Sequence, residues 1–441
     1  MQHCDTLIAP RWCVPVEPAS TVLEHHAVAV SEGRIVELMP TADALRKYQP
    51  SVLVERPEHL LIPGFVNAHT HSAMTLLRGY ADDLPLESWL RDQIWPAERR
   101  WVSAEMVRDG TELAIAEMLR GGITCFGDQY FYPEIVAETA AKMHMRVVVG
   151  TPVADFPTSW AADAAEYLAK GADLVHDPYA DHPLVSTGFA PHSAHALSDE
   201  SFTALRIMAD QLDLPIQMHL HESPGEIDRV VGTCGMRPIA RLESLGLLNA
   251  SLLAVHAVHL YAEEITKLAS AGVRVVHCPR SNLKLGNGVA PVIAMRAAGI
   301  RVGLGTDGAA SNNRLDLLAE MQAAALLAKG VSGNASALPA ADALEMATLA
   351  GARVLGLDER IGSLLPGKQA DLACIDLNHL HTRPVYNVLS QLAYCARADQ
   401  VSDVWVGGRH QLENGRLAQI NYDELVARAD EWAARITSLR S

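Results

Sequence analysis

The sequence predicts an α/β fold: a (β/α)8 TIM-like barrel with a small β-sandwich domain built from the N- and C-terminal segments. Eight short apolar runs alternate with helix-like segments, and each run is apolar on both faces, as a buried parallel strand must be. Strand-like patterns are left over at both ends of the chain and predict the small domain. The 441 residues suffice for both parts.

The barrel is predicted to span residues 60–365. Its eight strands are expected at residues 60–67, 123–127, 145–151, 184–190, 214–219, 251–256, 273–277 and 301–305. Good helix formers at helical spacing lie between these runs and predict helices, most clearly at residues 104–120, 201–211, 291–298 and 314–328. Strands and helices that alternate in this way are typical of a barrel.

The two flanking pieces, residues 1–59 and 366–441, are predicted to form the small β domain together. Strand-like stretches occur at residues 27–30, 34–38, 370–375 and 404–406. Neither piece has enough strands for a stable sheet of its own, so we expect the two to pair. Residues 422–439 are predicted to form a surface helix at the end of the second piece.

The composition favours a protein that acts on a small molecule in the cytoplasm. Lysine and arginine number 36 against 52 aspartate and glutamate, a net charge of −16, and no basic run occurs. This charge argues against a nucleic-acid or membrane surface. The seven cysteines are scattered without a Cys-x-x-Cys pair, and neither a signal peptide nor a membrane span is evident. By base rate, a homo-oligomer is expected.

Histidine and aspartate side chains stand at the carboxyl ends of four predicted strands, where a barrel keeps its reactive groups. His69 and His71 follow the first strand, His219 and His256 end the fifth and sixth, and Asp307 follows the eighth. A His-x-His pair alone is also compatible with a polar cap on a strand. The joint occurrence at four strand ends favours a site.

Four of these side chains predict a metal centre. His69, His71, His219 and Asp307 offer three neutral nitrogens and one carboxylate, which suits Zn²⁺ or Fe²⁺ better than Mg²⁺. We expect one divalent ion per subunit, with Zn²⁺ first. Such an ion lowers the pKa of a bound water toward neutrality, and Glu222, three residues past a ligand, is placed to carry protons.

Five segments carry a resemblance to a known family. The sequences Pro-Gly-Phe-Val-Asn-Ala-His-Thr-His at 63–71, His-Leu-His-Glu at 219–222 and Gly-Thr-Asp-Gly at 305–308 resemble the amidohydrolase superfamily, in its mononuclear nucleobase-deaminase branch. Residues 76–99 and 277–285 are similar to the 5′-methylthioadenosine/S-adenosylhomocysteine deaminases. The resemblance covers nearly the whole chain.

The resemblance implies the same four metal ligands, a single metal ion and roles for further residues. No lysine stands after the fourth strand, where a bridging ligand of binuclear relatives is expected. Glu222 becomes the proton carrier, and Glu98 and His192 contact the substrate together with Glu222 and Asp307. His256 is associated with polarising the attacked ring or helping the water to ionise, so Glu222, His256 and Asp307 form the catalytic set.

The activity implied is hydrolytic deamination at C6 of an adenine nucleoside, which gives the inosine analogue and ammonia. We expect 5′-methylthioadenosine to be preferred over S-adenosylhomocysteine and adenosine. Between Arg146 and Arg206 the chain has no arginine to pair with a carboxylate, whereas Phe156, Trp160 and Tyr167 offer an apolar wall for a methylthio group.

Two alternatives stay open. Another mononuclear amidohydrolase, such as a guanine or 8-oxoguanine deaminase or a triazine hydrolase, would keep the same metal ligands. Such an enzyme has no ribose to hold, so Glu98 discriminates between the two readings. A catalytically silent, amidohydrolase-like structural protein is the alternative of another class, and the presence of every expected ligand argues against it.

Overall fold

The structure, a computed structural model, describes residues 1–438. The strands are, in chain order, β1 (Gln2–Cys13), β2 (Leu23–Glu24), β3 (His26–Ser31), β4 (Arg34–Pro40), β5 (Tyr48–Pro63), β6 (Phe65–Thr70), β7 (Ile123–Gln129), β8 (Arg146–Val153), β9 (Val185–Pro191), β10 (Ile216–Leu220), β11 (Leu252–His256), β12 (Arg274–His277), β13 (Val302–Leu304), β14 (Leu372–Asp376), β15 (Val401–Val406), β16 (Arg409–Glu413) and β17 (Arg416–Leu417).

The helices are, in chain order, α1 (Thr41–Lys47), α2 (Leu86–Trp89), α3 (Trp95–Trp101), α4 (Ala104–Arg120), α5 (Pro133–Lys142), α6 (Ala164–Lys170), α7 (Asp177–Tyr179), α8 (Asp199–Leu212), α9 (Pro224–Cys234), α10 (Pro238–Ser244), α11 (Ala262–Ser270), α12 (Pro279–Lys284), α13 (Val292–Ala297), α14 (Ala309–Asn312), α15 (Leu317–Ser332), α16 (Ala340–Ala347), α17 (Leu349–Leu355), α18 (Val388–Tyr394) and α19 (Tyr422–Thr437). Two 3₁₀ turns (Ser72–Leu77, Ala398–Gln400) and two π-helical turns (Leu90–Ile94, Gly171–His176) complete the described elements.

Strands β6 to β13 form one eight-stranded sheet whose strand order follows the chain. The ladders from β8 to β13 are parallel. The backbone N–H of Asp307, just after β13, donates to the carbonyl of His69 in β6 at 3.0 Å, which links the last and first strands. The predicted barrel is confirmed.

The first predicted barrel strand, residues 60–67, is wrong in its bounds. Strand β5 ends at Pro63 and belongs to another sheet, where Leu61 pairs with both Cys13 and Cys374. The barrel strand β6 begins only at Phe65. An unbroken apolar run covers both buried strands, so no polar residue marks the change; Gly64 separates them, and a Cβ there would lie 2.2 Å from the Thr124 side chain.

The chain ends combine in one mixed sheet of strand order β17-β16-β15-β14-β5-β1-β3-β4, with β2 paired to β1. Successive side chains of a strand point to opposite faces of the sheet, and here they belong to different apolar clusters. Val28 and Val30 pack with Trp405, whereas Ala27 and Ala29 pack with Tyr48 at the end of α1. Strand β3 is therefore buried on both faces of the sheet. The predicted pairing of the two chain ends is confirmed.

The chain forms two compact units. The first contains Met1–Asn67, Ala116–Cys125 and Asp316–Asn421, and the second contains Ala68–Ile115, Phe126–Leu315 and the segment that begins at Tyr422. The domain limits predicted at residues 60 and 365 stay predictions.

Helix α19 ends at Thr437, and Leu439, the last residue of the predicted surface helix, lies outside the described residues. Within the second unit α19 contacts α4, because Arg428 forms ion pairs with Asp109 and Glu112. Among the described residues, no helix has the length and apolar character needed to cross a membrane.

Candidate active site

Four buried side chains meet where the barrel strands end. One potential ligand atom from each of His69, His219, His256 and Asp307 lies within 4.8 Å of those of the other three. His69 is in β6, His219 in β10 and His256 at the end of β11, while Asp307 follows β13. Because the parallel strands of a barrel end at the same rim, residues from distant parts of the chain come together here.

His71 joins the same cluster just beyond β6. Its Nε2 lies 3.2 Å from Asp307 Oδ1, and His69 Nε2 lies 3.5 Å from the same oxygen. The ring centroids of His71 and His219 are 5.4 Å apart. The structure therefore brings all four predicted metal ligands together, with His256 as a fifth neighbour.

Three of the histidine rings are oriented by hydrogen bonds of Nδ1, the ring nitrogen that does not face the cluster. In each case Nδ1 faces an oxygen acceptor, so this nitrogen carries the proton and the Nε2 lone pair is free for a cation. The pairs are His71 Nδ1 with the Gln129 carbonyl (2.5 Å), His219 Nδ1 with the His192 carbonyl (2.6 Å) and His256 Nδ1 with Asn282 Oδ1 (2.9 Å).

The residues present fit one divalent metal ion. His69 Nδ1 is hydrogen-bonded to the side-chain amide of Gln217 at 2.8 Å, while its buried Nε2 has no hydrogen-bond partner within the described residues. A buried polar nitrogen without a partner is costly, and a bound cation would satisfy it once this nitrogen is free of its proton. Burial lowers the pKa of His69 to about 4, so the ring is a neutral donor at pH 7.

Asp307 is held ionised between donors. Its Oδ2 accepts hydrogen bonds from the hydroxyls of Ser281 (2.6 Å) and Ser311 (2.7 Å), and its Oδ1 accepts one from the backbone N–H of Gly308 (2.8 Å). Burial alone would raise the pKa of Asp307, but the neighbouring histidines outweigh burial and hold it well below its usual value.

Glu222 lies beside the cluster and is half-buried. Its Oε1 accepts a hydrogen bond from Asn287 Nδ2 at 2.9 Å and lies 3.7 Å from His256 Nε2. Burial raises the pKa of Glu222, while the neighbouring His256 opposes this rise. A carboxyl group whose pKa is raised toward the working pH can both give and take a proton.

Glu98, on α3, is connected to the cluster through a tyrosine. Tyr130 donates to Glu98 Oε1 at 2.9 Å, and the rings of Tyr130 and His71 are 6.3 Å apart. Burial raises the pKa of Glu98 to about 7, although the Tyr130 hydroxyl and His71 act against this rise. Tyr130 follows β7, and no pattern in the sequence identified it.

His192 stands next to His219, with ring centroids 4.8 Å apart, and its side chain is exposed. An exposed ring at this place is accessible to a substrate. The nearby His195 has other partners: its ring bonds Ser193 and Arg229, and its centroid is 6.4 Å from that of His192.

His221, two residues after His219, contacts residues outside the four-residue cluster. It is fully buried, and its Nδ1 lies 3.0 Å from the His259 carbonyl and 3.3 Å from Arg237 Nη2. The backbone at His221 is left-handed (φ 54°), as it is at His256 (φ 73°) and Asp307 (φ 61°). Such strained positions cluster at functional sites.

The fold and this donor set define a metal-dependent hydrolase, and the chain belongs to the amidohydrolase family, whose sequence pattern it matches over residues 60–410. It is 44% identical over 429 residues to the 5-methylthioadenosine/S-adenosylhomocysteine deaminase of Teredinibacter turnerae, covering 97% of each chain.

Solved structures agree with this assignment. The crystal structure of an adenosine deaminase from Xanthomonas campestris with bound zinc is 50% identical, with a TM-score of 0.98 over 99% of this chain and 100% of that one. The atrazine chlorohydrolase of Arthrobacter aurescens is 24% identical, with a TM-score of 0.90 over 97% of this chain and 99% of that one, and it shows the fold alone.

Proposed function

We propose that this protein is a metal-dependent hydrolytic deaminase that converts 5′-methylthioadenosine, and less well S-adenosylhomocysteine or adenosine, to the inosine analogue and ammonia. The meeting of three histidines and an aspartate beside Glu222 carries the proposal. The near-full-length relatives, which are named as deaminases of adenine nucleosides, support it.

His69, His71, His219 and Asp307 would hold one divalent ion, Zn²⁺ first and Fe²⁺ second, because three imidazoles and one carboxylate suit these ions. Bound zinc in the Xanthomonas relative supports this order. The chemistry that such an ion supplies is the activation of water as a nucleophile near neutral pH.

The side chains around the cluster transfer protons and orient the attacking water. Glu222 takes a proton from the water that attacks C6 and passes it to a ring nitrogen of the adenine. It then takes the proton of the added hydroxyl group and gives it to the amine, which leaves as ammonia when the C6–N bond breaks and the C6 carbonyl forms. Asp307, held ionised, accepts a hydrogen bond from the attacking water. His256 is 3.7 Å from Glu222 and polarises the ring or assists ionisation of the water.

Glu98 and His192 bind the nucleoside. The Glu98 carboxylate accepts hydrogen bonds from the two ribose hydroxyls, which are donors. His192 contacts the purine from the side of His219. A free base offers no hydroxyls to Glu98, and this difference separates a nucleoside deaminase from a guanine or 8-oxoguanine deaminase.

The names of the relatives differ in the 5′ substituent of the nucleoside. Trp160 and Tyr167 are buried with ring centroids 5.5 Å apart, whereas Phe156 is exposed. The ranking therefore rests on the sequence, which has no arginine between Arg146 and Arg206 to pair with a carboxylate.

Ammonia release over a panel of purines tests the proposal. The zinc-loaded protein is assayed with 5′-methylthioadenosine, S-adenosylhomocysteine, adenosine, adenine, guanine and 8-oxoguanine. The first should give the highest kcat/KM, and Glu98→Gln should lower kcat/KM for nucleosides by about 100-fold, the cost of removing a buried charged hydrogen-bond partner. Higher kcat/KM for a free base than for any nucleoside would refute the proposal.

A cytoplasmic location and a homo-oligomeric state complete the proposal and rest on the sequence alone. Gel filtration with light scattering would measure the oligomeric state.

A further inference from the structure

Glu226, a buried carboxyl group near the start of α9, has no role in the chemistry described so far. Its Oε2 accepts the backbone N–H of Glu222 at 2.8 Å, and its Oε1 accepts the backbone N–H of His221 at 3.2 Å. The hydroxyl of Ser223 in turn accepts the backbone N–H of Glu226 at 3.2 Å. One side chain thus holds two consecutive peptide groups just beyond β10.

We propose that Glu226 is the positioning residue of the reaction, which fixes the backbone that carries Glu222 and so aims the Glu222 carboxyl group at the substrate. The inference rests on the proposed function, because it takes Glu222 as the proton carrier.

The backbone beyond β10 needs such a support because it has left the strand ladder. Strand β10 ends at Leu220, and His221 is left-handed with φ 54°. From that turn the Glu222 side chain reaches Asn287, which holds only its Oε1. The direction in which Glu222 leaves the backbone therefore depends on the two peptide groups that Glu226 binds.

The burial of Glu226 indicates that a carboxyl group is specifically needed there. The residue is 7% exposed, and burial, with the charge of Glu222 added, raises its pKa to about 8. A buried carboxyl group is more costly than an apolar side chain of the same size unless its hydrogen bonds repay the cost. Here the bonds go to the residue on which proton transfer depends.

A purely structural helix cap is the competing explanation, and the chain contains a matched example. At the start of α6, Glu166 Oε2 accepts the backbone N–H of Ala162 at 2.7 Å, and Asp163 Oδ1 accepts the backbone N–H of Glu166 at 3.0 Å. This pairing repeats the pattern of Glu226 and Ser223 without contact to Glu222. Glu166→Gln is therefore the control for the loss of a cap.

The test is a double-mutant cycle on the zinc-loaded protein, with 5′-methylthioadenosine as the substrate. Glu226→Gln replaces one of the two acceptor oxygens by an amide nitrogen. We expect kcat to fall about 10- to 100-fold, as for a reacting group misplaced by a fraction of an ångström, with KM changed less than about twofold. Zinc content should match that of Glu166→Gln, and melting curves should show both variants folded at the assay temperature.

The cycle separates positioning from stability. In the Glu222→Gln background, Glu226→Gln should cause no further loss, because a residue that acts through Glu222 has nothing left to position. Losses that multiply in the double variant, or a normal kcat in Glu226→Gln while Glu222→Gln is inactive, would overturn this inference and leave the proposed function standing. A wild-type protein that releases no ammonia from any nucleoside would overturn both.

Discussion

Removing either serine hydroxyl that holds Asp307 should weaken metal binding. Ser281 and Ser311 come from the segments after two different barrel strands, are almost fully buried, and donate to the same oxygen at 2.6 and 2.7 Å. These bonds fix the rotation of the carboxyl group, and so fix where Oδ1 stands relative to His69 and His71.

The magnitude follows from the charge of the acceptor. A hydrogen bond to an ionised group contributes about 1.5–3 kcal/mol, which corresponds to about a 10- to 100-fold change in affinity. Ser281→Ala and Ser311→Ala should each raise the zinc dissociation constant by about that factor. Because both hydroxyls share one oxygen, the double variant should lose less than the product of the two single losses.

The assay is titration of the metal-free protein with zinc against a chromogenic chelator. Ser363→Ala is the matched control, since the buried Ser363 hydroxyl donates to Glu17 Oε2 at 2.6 Å in the first unit, outside the metal cluster. Zinc affinities of Ser281→Ala and Ser311→Ala equal to that of the wild type, or an equal loss in Ser363→Ala, would refute the reasoning.

Three further predictions concern stability and pH. Gly110→Ala should lower the melting temperature, because the new Cβ would lie 2.4 Å from the Ala73 carbonyl oxygen; Gly232→Ala on α9, with nothing within 4 Å, should leave it unchanged or raise it. Tyr130→Phe removes a bond that lowers the pKa of Glu98, so the rise of kcat/KM with pH near 7 should move to higher pH in a pH–rate profile. Burial opposes ionisation of Asp403, but His410 and Arg56 outweigh it and hold its pKa well below the usual value. The stability due to ionised Asp403 is therefore present above about pH 4 and is lost as pH falls below it, so the difference in melting temperature between the wild type and Asp403→Asn should shrink from pH 6 to pH 3. A difference that stays constant over that range would contradict the assignment.

The grouping of the candidate metal ligands could be predicted from the sequence because it depends on two regular features. Side chains alternate along a strand, and parallel strands of a barrel end at the same rim, so His69, His219 and Asp307 had to be neighbours once their strands were recognised. The pairing of the two chain ends in one sheet could also be predicted, since neither end has enough strands for a stable sheet alone.

The supporting groups could not be predicted, because their contacts depend on loop geometry. Tyr130 meets Glu98, and Asn287 meets Glu222, across segments far apart in the chain. Histidine is enriched in the left-handed region, but most histidines lie outside it, so the sequence alone does not reveal the left-handed turns at His221 and His256. His221 shares the two-residue spacing of a ligand pair, yet its turn places its ring among Arg237 and His259.

The hydrogen bond from Asp307 to the His69 carbonyl places the candidate metal centre on the seam where the barrel closes. An ion held by both residues would join the first and last barrel strands, β6 and β13. Removing the ion with a chelator should therefore speed amide hydrogen exchange in β6 and β13 before it does so in the inner strands.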